Sequence, residues 1–390
     1  MSKLRRDAAF WTIAGQATIL NFYLGGFGPA QPLLREEQGT SLTVAGLHGT
    51  MMGLAAIIAG FIQPNLVHKY GRRNVSWLGL VIFSIGVPVF ALGNTVYITL
   101  LSVLFSCIGF NFVILNMVTQ LSHHYPKTPD LAVSQSNAIN SVGYVLGTVA
   151  VGTLATYGIS WRIALLLCIP AALLLYFFGR DKIVDSHDYD APKQSGKLGI
   201  KYWIAWFGFF ATISSEFATA FWAATLITDR TGADPAISTL CIAALGTGMG
   251  IGRWFIPIWL RKTSLDNRLR AILSLQFVAF MVFWLSHNLQ VSLIALLFVG
   301  LGISGQFSMS SVRLIKLSDN RPDLAMGISA YAAGLAIALA PFFLAFLGDL
   351  IGISKAYLMV PVLIGLAFLS LQLVSSEINP KTNSGELRSR

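Results

Sequence analysis

Twelve stretches of roughly 20 or more predominantly apolar residues follow one another along this chain, and such a series has few ways to fold except by crossing a lipid bilayer repeatedly. They lie near 9–33, 41–64, 74–93, 96–121, 131–156, 160–178, 201–228, 236–260, 268–286, 290–314, 325–349 and 352–374, each bounded by charge or turn residues. Lipid offers no partner to backbone N–H and C=O groups, so spanning segments of this length satisfy them as helices. Composition agrees, with 55% of the 390 residues apolar and only 11% charged, against about 25% charged in soluble proteins. In water that apolar surface would aggregate. The predicted fold is all-α and integral to the membrane, with twelve transmembrane helices.

The net charge of +10 would fit a nucleic-acid binder if the basic residues clustered, but they stand singly or in short groups between apolar stretches. That arrangement belongs to topology, because Lys- and Arg-rich loops stay on the cytoplasmic side. With the N-terminus inside, 22 of the 27 Lys and Arg are cytoplasmic, and only Arg35, Arg162, Arg230 and Lys355 fall on the other side. Both termini are therefore expected in the cytoplasm. The expected partner is the lipid bilayer of a cell membrane, such as a bacterial inner membrane, and not nucleic acid. Lys3, Arg5 and Arg6 before the apolar run from Ala8 could open a signal peptide, but no small-residue cleavage site follows, and the segment reads as a retained first span. Cys107, Cys168 and Cys241 each lie inside an apolar run, so neither a disulfide framework nor a metal site is implied. No cofactor is expected.

The longest polar interruption, 179–199, carries Arg180, Asp181, Lys182, Asp185, Asp188, Asp190, Lys193 and Lys197 and reads as a cytoplasmic linker. It divides the chain into a six-helix bundle at 1–178, a linker at 179–200, a second six-helix bundle at 201–376 and a cytoplasmic tail at 377–390. Short repeats support a duplication. Pro129-Asp130-Leu131-Ala132 before span five recurs as Pro322-Asp323-Leu324-Ala325 before span eleven, and Gly158-Ile159-Ser160 recurs as Gly352-Ile353-Ser354. Duplicated halves are a signature of transporters whose site lies between them.

Between spans two and three the chain reads Pro64-Asn65-Leu66-Val67-His68-Lys69-Tyr70-Gly71-Arg72-Arg73. This is similar to the signature loop of the major facilitator superfamily, Gly-x-x-x-Asp-Arg/Lys-x-Gly-Arg-Arg/Lys, and the resemblance extends over nearly the whole chain. It implies two pseudo-symmetric six-helix bundles around a central site, solute movement by alternating access, and a monomer. It also implies a gating latch on the cytoplasmic side, to which Lys69, Gly71, Arg72 and Arg73 correspond, although Pro64 and His68 replace the family's Gly and Asp. Glu216 followed by Trp222, then Gly250-Ile251-Gly252-Arg253, and the Ser160-Trp161-Arg162 opening of span six resemble the fucose permease-like branch. Span five has Gly147 followed by Thr148 where drug exporters of the family carry a Gly-Pro motif.

An ionisable side chain inside a bilayer costs about 2.5–3.5 kcal/mol on insertion scales, so each needs a reason. Glu216 is the one carboxylate near the middle of a span. With Thr212, Ser215, Thr219 and Trp222 it follows helical spacing and is expected on one polar stripe facing the bundle interior. It reads either as a proton carrier, whose protonation couples to the side on which the site opens, or as a structural, hydrogen-bonded acid. Arg253 reads as a snorkelling residue or as a gating, salt-bridge or substrate contact; the axial rise of about 1.5 Å per residue places it roughly 10 Å from Glu216, too far for a direct pair without helix tilt. Arg313 reads as a snorkelling anchor, and His48 as a packing residue or a titrating group.

Uncharged polar residues gather on the spans that the resemblance places around the central cavity. They are Gln16, Asn21 and Tyr23 on span one, Asn111 and Asn116 beside Phe110 on span four, and Asn137, Asn140, Ser141 and Tyr144 on span five. Ser215, Thr219 and Trp222 follow on span seven, and Gln306, Ser308 and Ser310 beside Phe307 on span ten. Amides fork to hydroxyl pairs and aromatic faces stack on C–H surfaces, which suits a sugar-like solute. The alternative is that these groups glue helices together. The Gly300-Leu301-Gly302-Ile303-Ser304-Gly305 run satisfies a dinucleotide template, but no strand precedes it, and its glycines read as packing devices. Gly143 and Gly147 read likewise. His123-His124 reads as a solvated loop pair. The functional expectation is a secondary transporter, not an enzyme, taking up a small neutral or weakly polar solute with protons. Proton-driven efflux of hydrophobic or amphipathic compounds is the alternative, and a non-transporting membrane sensor is the remote one.

Overall fold

A computed structural model describes residues 4–183, 196–260, 262–319 and 321–376. The tail expected at 377–390 and most of the linker expected at 179–200 lie outside the described residues. The described residues are helical and contain no strand. The first half contains α1 (Ala8–Phe27), α2 (Gln31–Gln38), α3 (Leu42–Tyr70), α4 (Arg72–Leu92), α5 (Val96–His124), α6 (Pro129–Thr156), α7 (Arg162–Leu166) and α8 (Cys168–Gly179). The second contains α9 (Ile200–Thr231), α10 (Pro235–Cys241), α11 (Ala243–Trp259), α12 (Leu265–Leu285), α13 (Leu289–Ile303), α14 (Gln306–Lys316), α15 (Pro322–Ile351), α16 (Ile353–Ala356) and α17 (Met359–Leu373). Four spans are broken helices: α7 with α8, α10 with α11, α13 with α14, and α16 with α17. The break in span ten falls at Ser304-Gly305, inside the glycine-rich run. Among the described residues eleven helical stretches are long and apolar enough to cross a membrane. The twelfth, α1, is more polar because it carries Thr12, Gln16, Thr18 and Asn21.

Within each half, close approach depends on glycine. A Cβ on Gly143 or Gly147 of α6 would meet the Thr18 or Phe22 carbonyl of α1 at 2.3 or 1.9 Å, and one on Gly248 would meet the Leu297 carbonyl at 1.9 Å. Between the halves, α3 packs on α15 and α6 packs on α11. Span two of one half thus meets span eleven, and span five meets span eight, so second and fifth spans exchange partners as an approximate two-fold requires.

The face from which α1 starts is here the near face and the opposite one the far face. Asp7 caps α1 there, accepting from Phe10 N–H at 3.0 Å, His124 Nε2 at 2.6 Å and Tyr125 Oη at 2.9 Å. Partial burial pushes the Asp7 carboxyl up, but these donors outweigh it and hold it at about 2. Its contribution to stability is therefore complete above the ordinary Asp value of about 3.9 and is lost as pH falls through the folded value. Asp7→Ala should cost about 1 kcal/mol at pH 7, and thermal unfolding should show the gap from the parent closing towards pH 2.

On the far face Asp349, at the end of α15, caps a helix of the other half. Its carboxylate accepts from Leu42 N–H at 3.1 Å and from Thr43 N–H at 2.7 Å and Oγ1 at 2.6 Å. An anion at a helix N-terminus also meets the positive end of the helix dipole. Asp349→Ala should weaken the far-face contact between the halves by about 1–2 kcal/mol, five- to thirtyfold in its opening. Distances between spin labels at the exposed Glu36 and Lys355 should lengthen accordingly.

Arg313 corrects the expectation of a snorkelling anchor. It is buried, pairs with the buried Asp266 at 3.4 Å, and donates to Ser370 Oγ and to the Ser370 and Val374 carbonyls. Asp266 also accepts from Ser376 N–H at 2.8 Å and Oγ at 2.7 Å. Acceptors at the ends of α12 and α17 hold the guanidinium inside, where it braces three helices. Gly71, with φ 80°, ends α3 and opens α4, a conformation that favours glycine. Beside it the Lys69 ammonium stands over the Tyr70 ring at 5.1 Å, and Arg72 and Arg73 occupy the first turn of α4.

Candidate functional site

At mid-depth four helices, two from each half, enclose a small cavity. Asn21 and Leu24 of α1, Gly28 at its C-cap, and Ser141 and Tyr144 of α6 line it from the first half. Glu216, Phe217, Ala220 and Phe221 of α9 and Gly246, Met249 and Arg253 of α11 line it from the second. The room open to water centres is ≈ 50 Å³, enough for a few waters at about 10–15 Å³ each by that measure. One wall is apolar and aromatic. The other gathers an amide, a hydroxyl, a phenol, a carboxylate and a guanidinium.

Glu216 makes no hydrogen bond or ion pair among the described residues and faces this space, where Tyr144 and Arg253 lie close enough to act on it electrostatically. Arg253 and Glu216 line the same cavity without forming an ion pair among the described residues, as the axial spacing predicts. Arg253 Nη1 donates across the halves to Ser141 Oγ at 2.8 Å and to the Asn137 carbonyl at 3.5 Å. Ser134 Oγ in turn donates to the Arg253 carbonyl at 2.9 Å. On the near-face side of the cavity Arg6 bonds Gln135 Oε1 at 3.0 Å and stands over the Trp254 ring at 5.3 Å, joining the two halves again. Tyr144 Oη is buried without a partner among the described residues.

The other polar residues lie elsewhere. Ser215 donates to the Thr212 carbonyl and accepts from Gln276, whose Oε1 accepts from Gln306 at 2.6 Å. Thr219 donates to the Ser215 carbonyl, and Trp222 Nε1 to the Pro341 carbonyl at 2.9 Å. The Gln276 and Trp222 bonds join spans within the second half, while the Thr219 hydroxyl bonds within α9. Ser310 lines a smaller space with Arg313 and Ser370. In the first half Tyr23 is buried, stacked on Phe27 with centroids 5.4 Å apart, and Phe110 packs against the core. Asn111 donates to the Cys107 carbonyl at 2.7 Å. Asn140 accepts from Thr18 at 3.2 Å and bonds Asn137 Oδ1 at 3.5 Å, while Gln16 and Asn116 are buried. His48 is buried too, held by the Ala45 carbonyl and Thr99 Oγ1, each at 3.0 Å. His123 and His124 are exposed as expected, but they close α5 rather than lie in a loop, and His124 bonds Asp7 there.

The apolar wall was not foreseen from the sequence. At about 100° per residue, Thr212, Ser215, Thr219 and Trp222 occupy one side of α9 and Phe217, Ala220 and Phe221 the other, with Glu216 at the border. The polar stripe marked the packing side, and the residues next to the acid marked the cavity.

The family model described as Major Facilitator Superfamily matches residues 13–322. The chain belongs to the Major Facilitator Superfamily. It is a multi-pass membrane transporter and not an enzyme, as the family indicates. This superfamily member superposes on a bacterial homolog of the human lysosomal transporter Spinster, in its inward-facing, unoccupied conformation, with TM-score 0.76 at 14% identity, covering 97% of this chain and 100% of that one. It superposes on a D-xylose–proton symporter with TM-score 0.77 at 14% identity over 95% and 99%, and on the human organic anion transporter MFSD10 (TETRAN) with 0.71 at 16% over 95% and 100%. Identities this low show a shared fold. No curated protein matches the sequence.

Proposed function

We propose that this transporter takes up a small, neutral or weakly polar solute together with protons, by rocking its halves about the cavity at Glu216. One observation carries the reading: Glu216, a carboxylate deep in a span, faces a space bounded by both halves, without a hydrogen bond among the described residues. An acid so placed interacts differently with each open state, and a group can bias a conformational equilibrium only through such a difference. Asn21, Ser141, Tyr144, Glu216 and Arg253 form the polar side of the solute site. Arg253, with its bonds to the first half, serves the near-face gate, and Lys69, Gly71, Arg72 and Arg73 belong to the same gate. The lysine and arginine bias supports a near face and termini on the cytoplasmic side of a cell membrane, and the protein is proposed to act as a monomer.

Proteoliposomes with an imposed proton gradient test the direction: solute should accumulate on the side to which protons flow, and accumulation against that flow would reverse the reading. A second reading, proton-driven efflux of amphipathic compounds, draws on the wall formed by Leu24, Phe217, Phe221 and Met249.

A further inference from the structure

We infer that the solute is a small monocarboxylate with an apolar body, held through Arg253 and Tyr144 and bound together with a proton on Glu216. The inference rests on the proton-coupled reading above and replaces its neutral solute by an anion that becomes neutral only together with its proton. Three observations carry it. First, the cavity places one guanidinium and one carboxylate within reach of a shared ligand, with no ion pair between them among the described residues. Arg253 donates through Nη1 alone, so Nε and Nη2 keep a planar donor pair that matches a carboxylate. Second, Tyr144 is only 7% exposed, and its Oη has no partner among the described residues although the residue lines the cavity. A buried hydroxyl without a partner is costly. It supplies one further donor at the same place. Third, Leu24, Phe217, Ala220, Phe221 and Met249 offer only hydrocarbon and ring surface opposite the polar groups. A sugar, with hydroxyls all round, would leave several of them unpaired against that wall. The small volume fits a short chain or a single ring.

Charge arithmetic supplies the coupling. With Glu216 ionised the site is neutral, and a carboxylate entering it makes the net charge −1 in a low-dielectric space. With Glu216 protonated the guanidinium is unopposed, and the bound carboxylate restores neutrality. Each anion is therefore accompanied by one proton, and the loaded site carries no net charge as it changes sides. Proton and solute thus travel as an electroneutral pair.

Isothermal titration calorimetry on the purified full-length protein tests this, using hexanoate, lactate and benzoate, the matching amides, xylose and butylamine. A carboxylate should bind while its amide does not. Heats measured in buffers of different ionisation enthalpy should report one proton taken up per ligand. Above the titration of Glu216, affinity should fall about tenfold per pH unit. Glu216→Gln should bind the same carboxylate without proton uptake. Tyr144→Phe should weaken binding about tenfold, and Arg253→Lys, which keeps the charge but loses the fork, by at least as much, with unfolding temperature confirming that each variant is folded. An amide binding as tightly as its acid, or no carboxylate binding at all, overturns the inference. If xylose binds with a proton instead, the inference fails and the proton-coupled reading stands. If a carboxylate binds without a proton, the coupling reading fails, and the pairing inferred here fails with it.

Discussion

Glu216→Gln should abolish concentrative uptake while leaving counterflow exchange running. A gradient of one pH unit supplies about 1.4 kcal/mol, enough for roughly tenfold accumulation of a solute moved with one proton. The glutamine keeps the shape of the side chain but carries no exchangeable charge, so the variant's accumulation should settle at about onefold whatever the gradient. Counterflow needs only binding and rocking, both of which the amide permits. The residue sits at the edge of the cavity without partners to lose, so the variant should fold as the parent does. Unchanged accumulation in Glu216→Gln would remove the acid from the mechanism.

The second large effect concerns the seam between the halves. Gly53 of α3 lies at mid-depth, where a Cβ would meet the Gly334 carbonyl at 2.3 Å and Ala338 N at 2.4 Å, both on α15 of the other half. Overpacking of this kind costs about 1–3 kcal/mol. At Gly53 the strain falls on a contact that alternating access must break, so Gly53→Leu should be relieved by opening the far face. Transport should fall at least tenfold as the closed far-face state becomes rare, with little change in unfolding temperature. Gly147→Leu gives the contrast. Its Cβ would lie 1.9 Å from the Phe22 carbonyl inside one half, where no functional motion relieves it. That variant should unfold at markedly lower temperature. Equal loss of thermal stability in the two would show that the seam does not open.

Much of this architecture is legible in the sequence because lipid enforces it. Length and apolarity mark the spans, and repeats such as Gly158-Ile159-Ser160 and Gly352-Ile353-Ser354 mark the duplication. Asn21, Tyr144, Glu216 and Arg253 stand out for polarity alone, and the fold brings these four to one cavity. Most other polar residues are equally conspicuous and serve packing. Thr212, Ser215 and Thr219 each return a hydroxyl to a carbonyl three or four residues earlier, and Gln276 with Gln306 ties α12 to α14. Sequence shows that a group is polar within a span, but not whether its partner is a neighbouring helix or a solute. The Asp349 cap on α3 is hidden for a different reason, since 306 residues separate Thr43 from the carboxylate it bonds. Arg313 was misread for want of Asp266, which binds it only in the folded chain.

The most direct measurement is thiol labelling at Ala220, a wall residue beside Glu216. The natural cysteines Cys107, Cys168 and Cys241 are buried and give a low background. Ala220→Cys should react with a membrane-impermeant maleimide in right-side-out and in inside-out vesicles alike, and bound solute should slow both reactions. Labelling confined to one orientation, or to neither, would contradict a site that opens to each side in turn.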